Sequence, residues 1–375
     1  MTFMRNLLAV ACLGLTVPVA ADAETYRVSQ WLPESQTLTQ TTRWLFDEVT
    51  EETGGALTFE VFAGGVLVPA KAHLSAIADG VAHAGFAYSG YTPSETPVTE
   101  SLSGFAYKVK DPTVLAAAYA DFIVNDAEAN QEYRDHGVVP MGGWATANTD
   151  LLCNTAPMTS LADLKGKRVR VPGGAFSKMA EALGMIPVNV PSTEAYQAQQ
   201  TGQTDCISMR PSSLNMEDNL EDVTKSVTLL GTAPTFASPM LVFNDEFWQG
   251  LDTAQRRVIL DLFAEAMARN MVSSLAPQSK ALEQAQADGI VVVEADSTIT
   301  DALQAWVDAG TGGMVETAKA NGVADPEVVY ARFQRYLDKW QALYDQLADP
   351  LDEAALTAMF KDNLTDGIDA ATYGM

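Results

Sequence analysis

Positive charge is scarce in this chain. Its 375 residues hold 23 lysines and arginines against 48 aspartates and glutamates, a net charge of −25, and the pI is about 4.3. Nucleic acid and anionic membrane surfaces repel such a field, which makes them poor partners. A small anion can still be held where local donors overcome that field, so each clustered arginine is informative. Histidine is also rare. His73, His83 and His136 lack metal-ligand spacing and adjoin no cysteine pair, and His73 and His83 are expected on the surface. No metal or cofactor is implied. There is no Gly-x-Ser-x-Gly elbow and no phosphate loop, and the stretch GAFSKM at 174–179 holds Ser-x-x-Met rather than Ser-x-x-Lys. Carboxylates are plentiful, but nothing positions a pair of them, so the chain is not expected to be an enzyme. Internal repeats and low-complexity segments are absent.

Long apolar runs are missing after residue 23; a membrane span needs about 20 such residues. The N-terminus itself has the layout of a secretory signal. Arg5 supplies charge, Leu7 to Ala21 is apolar apart from Thr16, and Ala21-Asp22-Ala23 fits a cleavage site. The mature chain is expected to start at Glu24 and to be soluble in an oxidising compartment, the periplasm of a Gram-negative cell. A lipoprotein with Cys12 as acceptor fits less well, because Ala9 stands where a larger aliphatic is usual and the apolar run continues past Cys12. Two cysteines remain in the mature chain, Cys153 and Cys206. Spacing leaves a disulfide and two buried free thiols equally open.

The length suggests about two domains at roughly 150 residues each. TYRVSQW (25–31), LTFEVF (57–62) and AHAGFAY (82–88) have strand patterns, with helical spacing at 38–53 and 69–79 between them. That order predicts a parallel sheet with crossover helices. Residues 112–135 are helical, and 138–154 give two extended pieces with a crossing between domains near 144–149. KGKRVRV at 165–171, a Pro-Gly-Gly turn, a helix, a short strand and another helix form the nucleus of a second domain. SPMLVFN (238–244) returns to the first. Residues 251–287 have helical composition, interrupted by Pro277, which must kink or split the helix. Such a segment spans on the order of 50 Å at 1.5 Å per residue, enough to run along both domains. IVVVEA (290–295) is a further strand, and the remainder is helical. The expected divisions are 1–23, signal peptide; 24–146 with about 233–270, domain I; 147–232 with about 271–330, domain II; and about 331–375, a C-terminal helical extension.

Four stretches carry a resemblance: DEVTEETGGALTFEVFAGGVL (47–67), LADLKGKRVRVPGG (161–174), STEAYQAQQTGQTD (192–205) and LVFNDEFWQGLDTAQRRVI (241–259). In this order they resemble the extracytoplasmic solute-binding subunit of a tripartite ATP-independent periplasmic (TRAP) transporter. The resemblance implies an α/β two-domain periplasmic-binding-protein clamp with a hinge and a long helix across both domains. It also implies one small organic acid in the cleft, and delivery to the membrane permease subunits. A sensor module presenting the same ligand to a receptor would need the same clamp.

Within that resemblance, Arg170 matches the family's carboxylate-binding arginine. A guanidinium is a planar fork that pairs a carboxylate with two parallel hydrogen bonds. Gly173, in the turn after it, lets a ligand approach the backbone. The alternative for Arg170 is a salt bridge to an acid of its own domain; neighbouring Lys167 and Arg168 are expected to be solvated. Trp31 and Tyr88 close the first and third strands and can stack on a ligand or pack between domains. Met209 and Arg210 fall near the ligand-contacting segment after Asp205. Phe236 and Trp144 serve equally as cleft wall or as packing. One departure concerns Asn148-Thr149-Asp150, where members that bind dicarboxylates often carry a second arginine. Asp150 facing the cleft would repel a second carboxylate by a few kcal/mol. A monocarboxylate or zwitterion with an apolar or aromatic body is therefore expected, unless Arg210 turns inward and restores the second positive charge.

Overall fold

A computed structural model of the chain describes residues 25–230, 237–309 and 312–375. The leader through Ala23 and Phe236 lie outside them. The first lobe opens with β1 (Thr25–Ser29), α1 (Thr37–Glu52), β2 (Thr58–Phe62), α2 (His73–Ala78) and β3 (Ala84–Gly85). α1 buries Leu38, Leu45, Phe46 and Val49, the side marked by helical spacing. β3 is shorter than the 82–88 expected. Gly85 packs against the Ser29 carbonyl, where a Cβ would come within 2.5 Å, and the chain then leaves the sheet for a 3-10 turn at Ser89–Tyr91. α3 (Pro97–Glu100), a 3-10 segment (Ser101–Lys108), α4 (Pro112–Asn125), α5 (Ala127–Asp135) and β4 (Val138–Ala145) follow. α4 starts with Pro112 behind an Asp111 cap and is buried almost throughout, between β4 and the C-terminal helices.

After the crossing come β5 (Asp150–Cys153), α6 (Leu161–Leu164), β6 (Arg168–Val171), α7 (Gly174–Ala182), β7 (Ile186–Asn189), α8 (Ala195–Gln200), β8 (Cys206–Met209) and β9 (Ser226–Leu229). The chain returns through β10 (Ala237–Asn244) and α9 (Asp245–Gly250). α10 (Thr253–Leu275) opens on an Asp252–Gln255 capping box, and Pro277 separates it from α11 (Gln278–Ala287), so the long helical segment is split. β11 (Val291–Glu294), α12 (Ser297–Asp308), α13 (Gly312–Ala320), α14 (Pro326–Tyr344) and α15 (Glu353–Asn363) complete the chain.

Two sheets result. The first has the order β2-β1-β3-β10-β4, the second β11-β9-β5-β8-β6-β7. β1 pairs parallel with β2 and β3, and β10 runs antiparallel between β3 and β4. β4 and β5 are consecutive yet lie in different sheets, so residues 146–149 cross between lobes. α10 packs on α1, β4 and α15 of the first lobe, while α11 packs on β11 and the 3-10 turn Pro211–Ser213 of the second. The helical segment thus serves both lobes, with Pro277 at the handover.

The C-terminal segment covers the first lobe. α14 packs on α4 and α15 on α10. Arg256 and Arg257 donate to the carbonyls of Ala370, Ile368 and Thr365, and the Trp248 indole donates to Tyr373 O at 2.8 Å. α13, assigned by sequence to the second domain, packs instead on α3, α14 and the Ser101–Lys108 turn of the first lobe. In the second lobe, one apolar cluster holds Leu151, Val169 and Phe176, and another holds Leu152, Ile207 and Met209, so the sheet is covered on both faces. Cys153 and Cys206 stand directly opposite in the antiparallel β5–β8 pair and form a disulfide, S–S 2.09 Å. Register, which spacing cannot supply, decides between the two alternatives. His73 is buried rather than exposed: it packs under the first sheet beside Ser29 Oγ (2.9 Å), and burial pushes its imidazole down to about 4.

Candidate functional site

A cavity lies between the lobes at the ends of the strands. Trp31, Leu32, Gln36, Phe86, Tyr88, Tyr91 and Trp144 line it from the first lobe. Arg170, Ser192, Ser208, Met209 and Arg210 line it from the second, with Thr146 and Thr149 at the crossing. The space between these walls, adjoining open solvent included, is about 470 Å³. Six residues singled out from sequence therefore meet here: Trp31, Tyr88, Trp144, Arg170, Met209 and Arg210. Two do not line it, Asp150 and Gly173.

The first-lobe wall is a continuous set of rings. Trp31 stacks on Phe86 with centroids 5.3 Å apart, and its indole N–H donates to the Phe86 carbonyl at 2.9 Å. Trp144 meets the edge of Phe86 at 5.2 Å, Tyr91 tilts against Trp31 at 5.4 Å, and Tyr88 stands edge-on to Tyr91 at 4.9 Å. Each ring is held by its neighbours, so the wall is preformed. Behind Tyr88 sits Glu100, whose carboxylate accepts from Ser89 Oγ at 2.9 Å and is pushed up to about 7 by burial.

Arg170 projects from β6, and only 3% of it is exposed. Its Nε donates to the Val190 carbonyl at 2.9 Å and its Nη2 to the Tyr91 hydroxyl at 3.3 Å. Among the described residues, no carboxylate lies within salt-bridge distance of it. The alternative of an intradomain salt bridge is therefore not what this geometry contains. The neighbour Arg168 does find one, pairing with Asp205 at 2.8 Å. A buried guanidinium without a counter-ion is costly, and a carboxylate in the cavity would relieve that cost. Tyr91, from the first lobe, joins the two lobes here, because its hydroxyl accepts both from Arg170 and from Ser192 N at 3.0 Å.

Arg210 also reaches the cavity but is already paired. Its Nε donates to Glu217 Oε2 at 2.7 Å, its Nη2 lies 2.6 Å from the same carboxylate, and Nη2 also donates to Gln36 Oε1. It does not offer the second unpaired positive charge that sequence left open. Asp150 turns away. Its carboxylate accepts from Leu230 N at 2.9 Å and is pushed up to about 6 by burial, while Thr149, one residue earlier, lines the cavity. Successive side chains of an extended segment point to opposite sides, so the absence of an arginine here is informative but Asp150 supplies no repulsion from the wall. Gly173 has a structural role. It stands at φ +100° as the cap of α7, and a Cβ there would approach the Gly90 carbonyl to 2.4 Å. Its lack of a side chain lets the lobes touch.

Tyr91, Phe86, Thr149, Gln36 and Glu217 escaped the sequence reading. The aromatic density of GFAYSGY at 85–91 was the available signal for the first two; Glu217 lies in an irregular stretch with none. No group of three or more His, Cys, Asp or Glu among the described residues could hold a metal ion. No helix among them is long and apolar enough to cross a membrane.

Comparison with known proteins places this geometry. The chain matches the family model of the bacterial extracellular solute-binding proteins, family 7 (DctP), over residues 28–314. It is 23% identical over 229 residues to a solute-binding protein of Albidiferax ferrireducens, a match covering 58% of this chain and 63% of that relative, less than two thirds of its length. It is 25% identical over 300 residues to a C4-dicarboxylate-binding periplasmic protein of Rhodobacter capsulatus, covering 76% and 78% of the two. Among solved structures, the Bordetella pertussis solute receptor DctP7, which binds pyroglutamic acid, is 22% identical with a TM-score of 0.69, covering 85% of this chain and 100% of that one. A TRAP solute-binding protein of Rhodoferax ferrireducens in complex with benzoate is 18% identical with a TM-score of 0.75, covering 85% and 99%. These likenesses show the two-domain α/β clamp. With the family model matched over most of its length, the chain belongs to the DctP family of bacterial extracellular solute-binding proteins.

Proposed function

We propose that this protein captures a small monocarboxylate with an apolar or aromatic body in the periplasm and delivers it to the membrane permease subunits of a TRAP transporter. The observation that carries this reading is Arg170: a buried guanidinium without a carboxylate partner among the described residues, facing a cavity walled by aromatic rings. The carboxylate takes the free side of the fork, and the rings cover the body. Thr149 and Ser208 give the cavity polar groups that suit a hydroxyl or amide on the ligand. Relatives described with pyroglutamic acid and with benzoate support the ligand class, both being monocarboxylates with a ring. The leader ending at Ala23 directs export, and the protein purified from the periplasm is expected to begin at Glu24 by intact-mass measurement.

A thermal-shift screen across monocarboxylates, dicarboxylates, amino acids, sugars and compatible solutes tests the reading. A ligand that binds only the folded state raises the melting temperature by mass action. The largest shifts are expected from ring-bearing monocarboxylates; a best ligand without a carboxylate overturns the proposal. Delivery is tested by growth on that acid with and without the permease subunits.

A further inference from the structure

Arg210 and Glu217 occupy the second charged corner of the cavity, and nothing in the carboxylate reading of Arg170 requires them. Arg210 lines the cavity with 8% of its surface exposed, and Glu217 behind it is 5% exposed. The Glu217 carboxylate takes the Nε and Nη2 of Arg210 at 2.7 and 2.6 Å and also accepts from Ser212 Oγ at 2.8 Å. Gln36, from the opposite lobe, also binds Nη2: its Oε1 accepts from Arg210, and its Nε2 donates to Asp218 Oδ1 at 2.7 Å. The charge of the guanidinium is therefore balanced by Glu217. The next acid, Asp218, adds no attraction for an anion, and burial raises its carboxyl above the usual range. The cavity thus holds two arginines but shows a ligand the unneutralised charge of one.

We infer that Glu217 sets the number of carboxylates the cleft accepts: by neutralising Arg210 inside the cavity, it restricts ligands to a single carboxylate at Arg170. This rests on the proposed carboxylate-binding role of Arg170. Glu217 acts through Arg210 and is a positioning residue. A second ligand carboxylate would have to displace Glu217 from Arg210 in a buried site, leaving that acid without its cation. Replacing Glu217 by a neutral residue of the same shape removes the competitor and leaves Arg210 free to pair.

The test uses two matched pairs of probes, benzoate with isophthalate and butyrate with succinate, titrated calorimetrically at pH 7.5 against the full mature chain. The readout is the ratio of affinities within each pair. In the wild type the monocarboxylate is expected to bind at least about tenfold more tightly than its partner. Glu217→Gln should shift that ratio by about tenfold or more toward the dicarboxylate. Glu217→Asp, which keeps the charge, should retain the wild-type preference. The double variant Arg210→Gln/Glu217→Gln should lose the shift, because the freed cation is gone. An ion pair that merely braces the lobes would change both members of a pair alike and leave the ratio fixed, and an unchanged ratio in a folded Glu217→Gln protein overturns the inference. If Glu217→Gln does not fold, the double variant decides: a dicarboxylate preference in it overturns the inference, and a retained monocarboxylate preference supports it. A wild type that binds none of the four probes overturns the Arg170 reading, and this inference with it. Tight monocarboxylate binding with an unmoved ratio overturns the role of Glu217 alone.

Discussion

The first lobe brings rings to the cavity, Trp31, Phe86, Tyr88, Tyr91 and Trp144, and the second brings charge and hydroxyls, Arg170, Arg210, Ser192 and Ser208. The two contributions differ in how they are held. The rings brace one another by stacking and edge contacts and need no ligand to be in place. Arg170 is buried between lobes, and among the described residues its acceptors are a carbonyl and a tyrosine hydroxyl. On the proposed function a carboxylate would lower the cost of that burial; the Tyr91 hydroxyl and Ser192 N of the two lobes already meet beside it. On that same proposal, the first lobe selects shape and the second supplies the charge that recognises the acid.

That division can be broken in several places. Arg170→Ala should have the largest effect, weakening binding of the best acid by about 100-fold or more and abolishing its thermal shift in a protein that still folds, since truncating one partner of a buried charge pair costs about 2–5 kcal/mol. Binding within threefold of wild type by calorimetry would remove charge from the second lobe's account. Replacing Cys153 and Cys206 together by alanine should cost about 2–4 kcal/mol of stability, because the bridge joins positions 53 residues apart within the second sheet. In urea melts the loss should fall on the second lobe, leaving near-ultraviolet signals of the first-lobe tryptophans in place until higher denaturant.

Acids are shifted in both lobes, and burial raises Asp150 of the second as well. In the first, burial pushes Glu100 and Glu132 each up to about 7. In the second, Asp205 is held below the usual range by its hydrogen bond from Arg168. A raised carboxyl binds its proton more tightly folded than unfolded. Its contribution is fully present below the unfolded value, near 4.5, and is lost as pH rises through about 7. Asp205 does the opposite: its contribution is present above the unfolded value and is lost as pH falls through the lower, folded one. The melting temperature is therefore expected to rise from pH 8 to pH 5.5 and to fall only in stronger acid. Glu132→Gln should flatten the upper slope, by about 1–3 kcal/mol of the pH-dependent stability; an unchanged slope in scanning calorimetry would remove Glu132 from it. Trp31→Leu should lower affinity for ring-bearing acids by about tenfold and for butyrate by less, as expected if stacking carries about 1 kcal/mol. The smallest effect is expected from Asp150→Asn: because its carboxylate faces Leu230 N and not the cavity, ligand selectivity should stay within about twofold of wild type.

How far the molecule was legible varies from residue to residue. Alternating strands closed by glycine, helical spacing, and caps such as Asp252 before Gln255 are local signals, and elements such as α1 and α10 fell where these put them, while β3 came out shorter. Arg170 stood out because a basic strand in an acidic chain is conspicuous and its flanking motif resembles a family. Thr149 was passed over for its charged neighbour because the side each faces depends on strand register. Tyr91 was hidden in a 3-10 turn, which has neither period. Glu217 is meaningful only through Arg210, and His73 only through the helix that buries it.

The sequence by itself determined the family, the alternation of strands and helices, the excess of negative charge, and the guanidinium that stands apart from it, since all of these rest on composition and on contacts between near neighbours. Tertiary structure alone decided that Cys153 faces Cys206, that Arg210 is neutralised by Glu217 and held by Gln36 from across the cleft, that Asp150 looks away, and that the C-terminal helices cover the first lobe. Each depends on pairing residues distant in the chain, set by strand register and lobe closure rather than by local propensity.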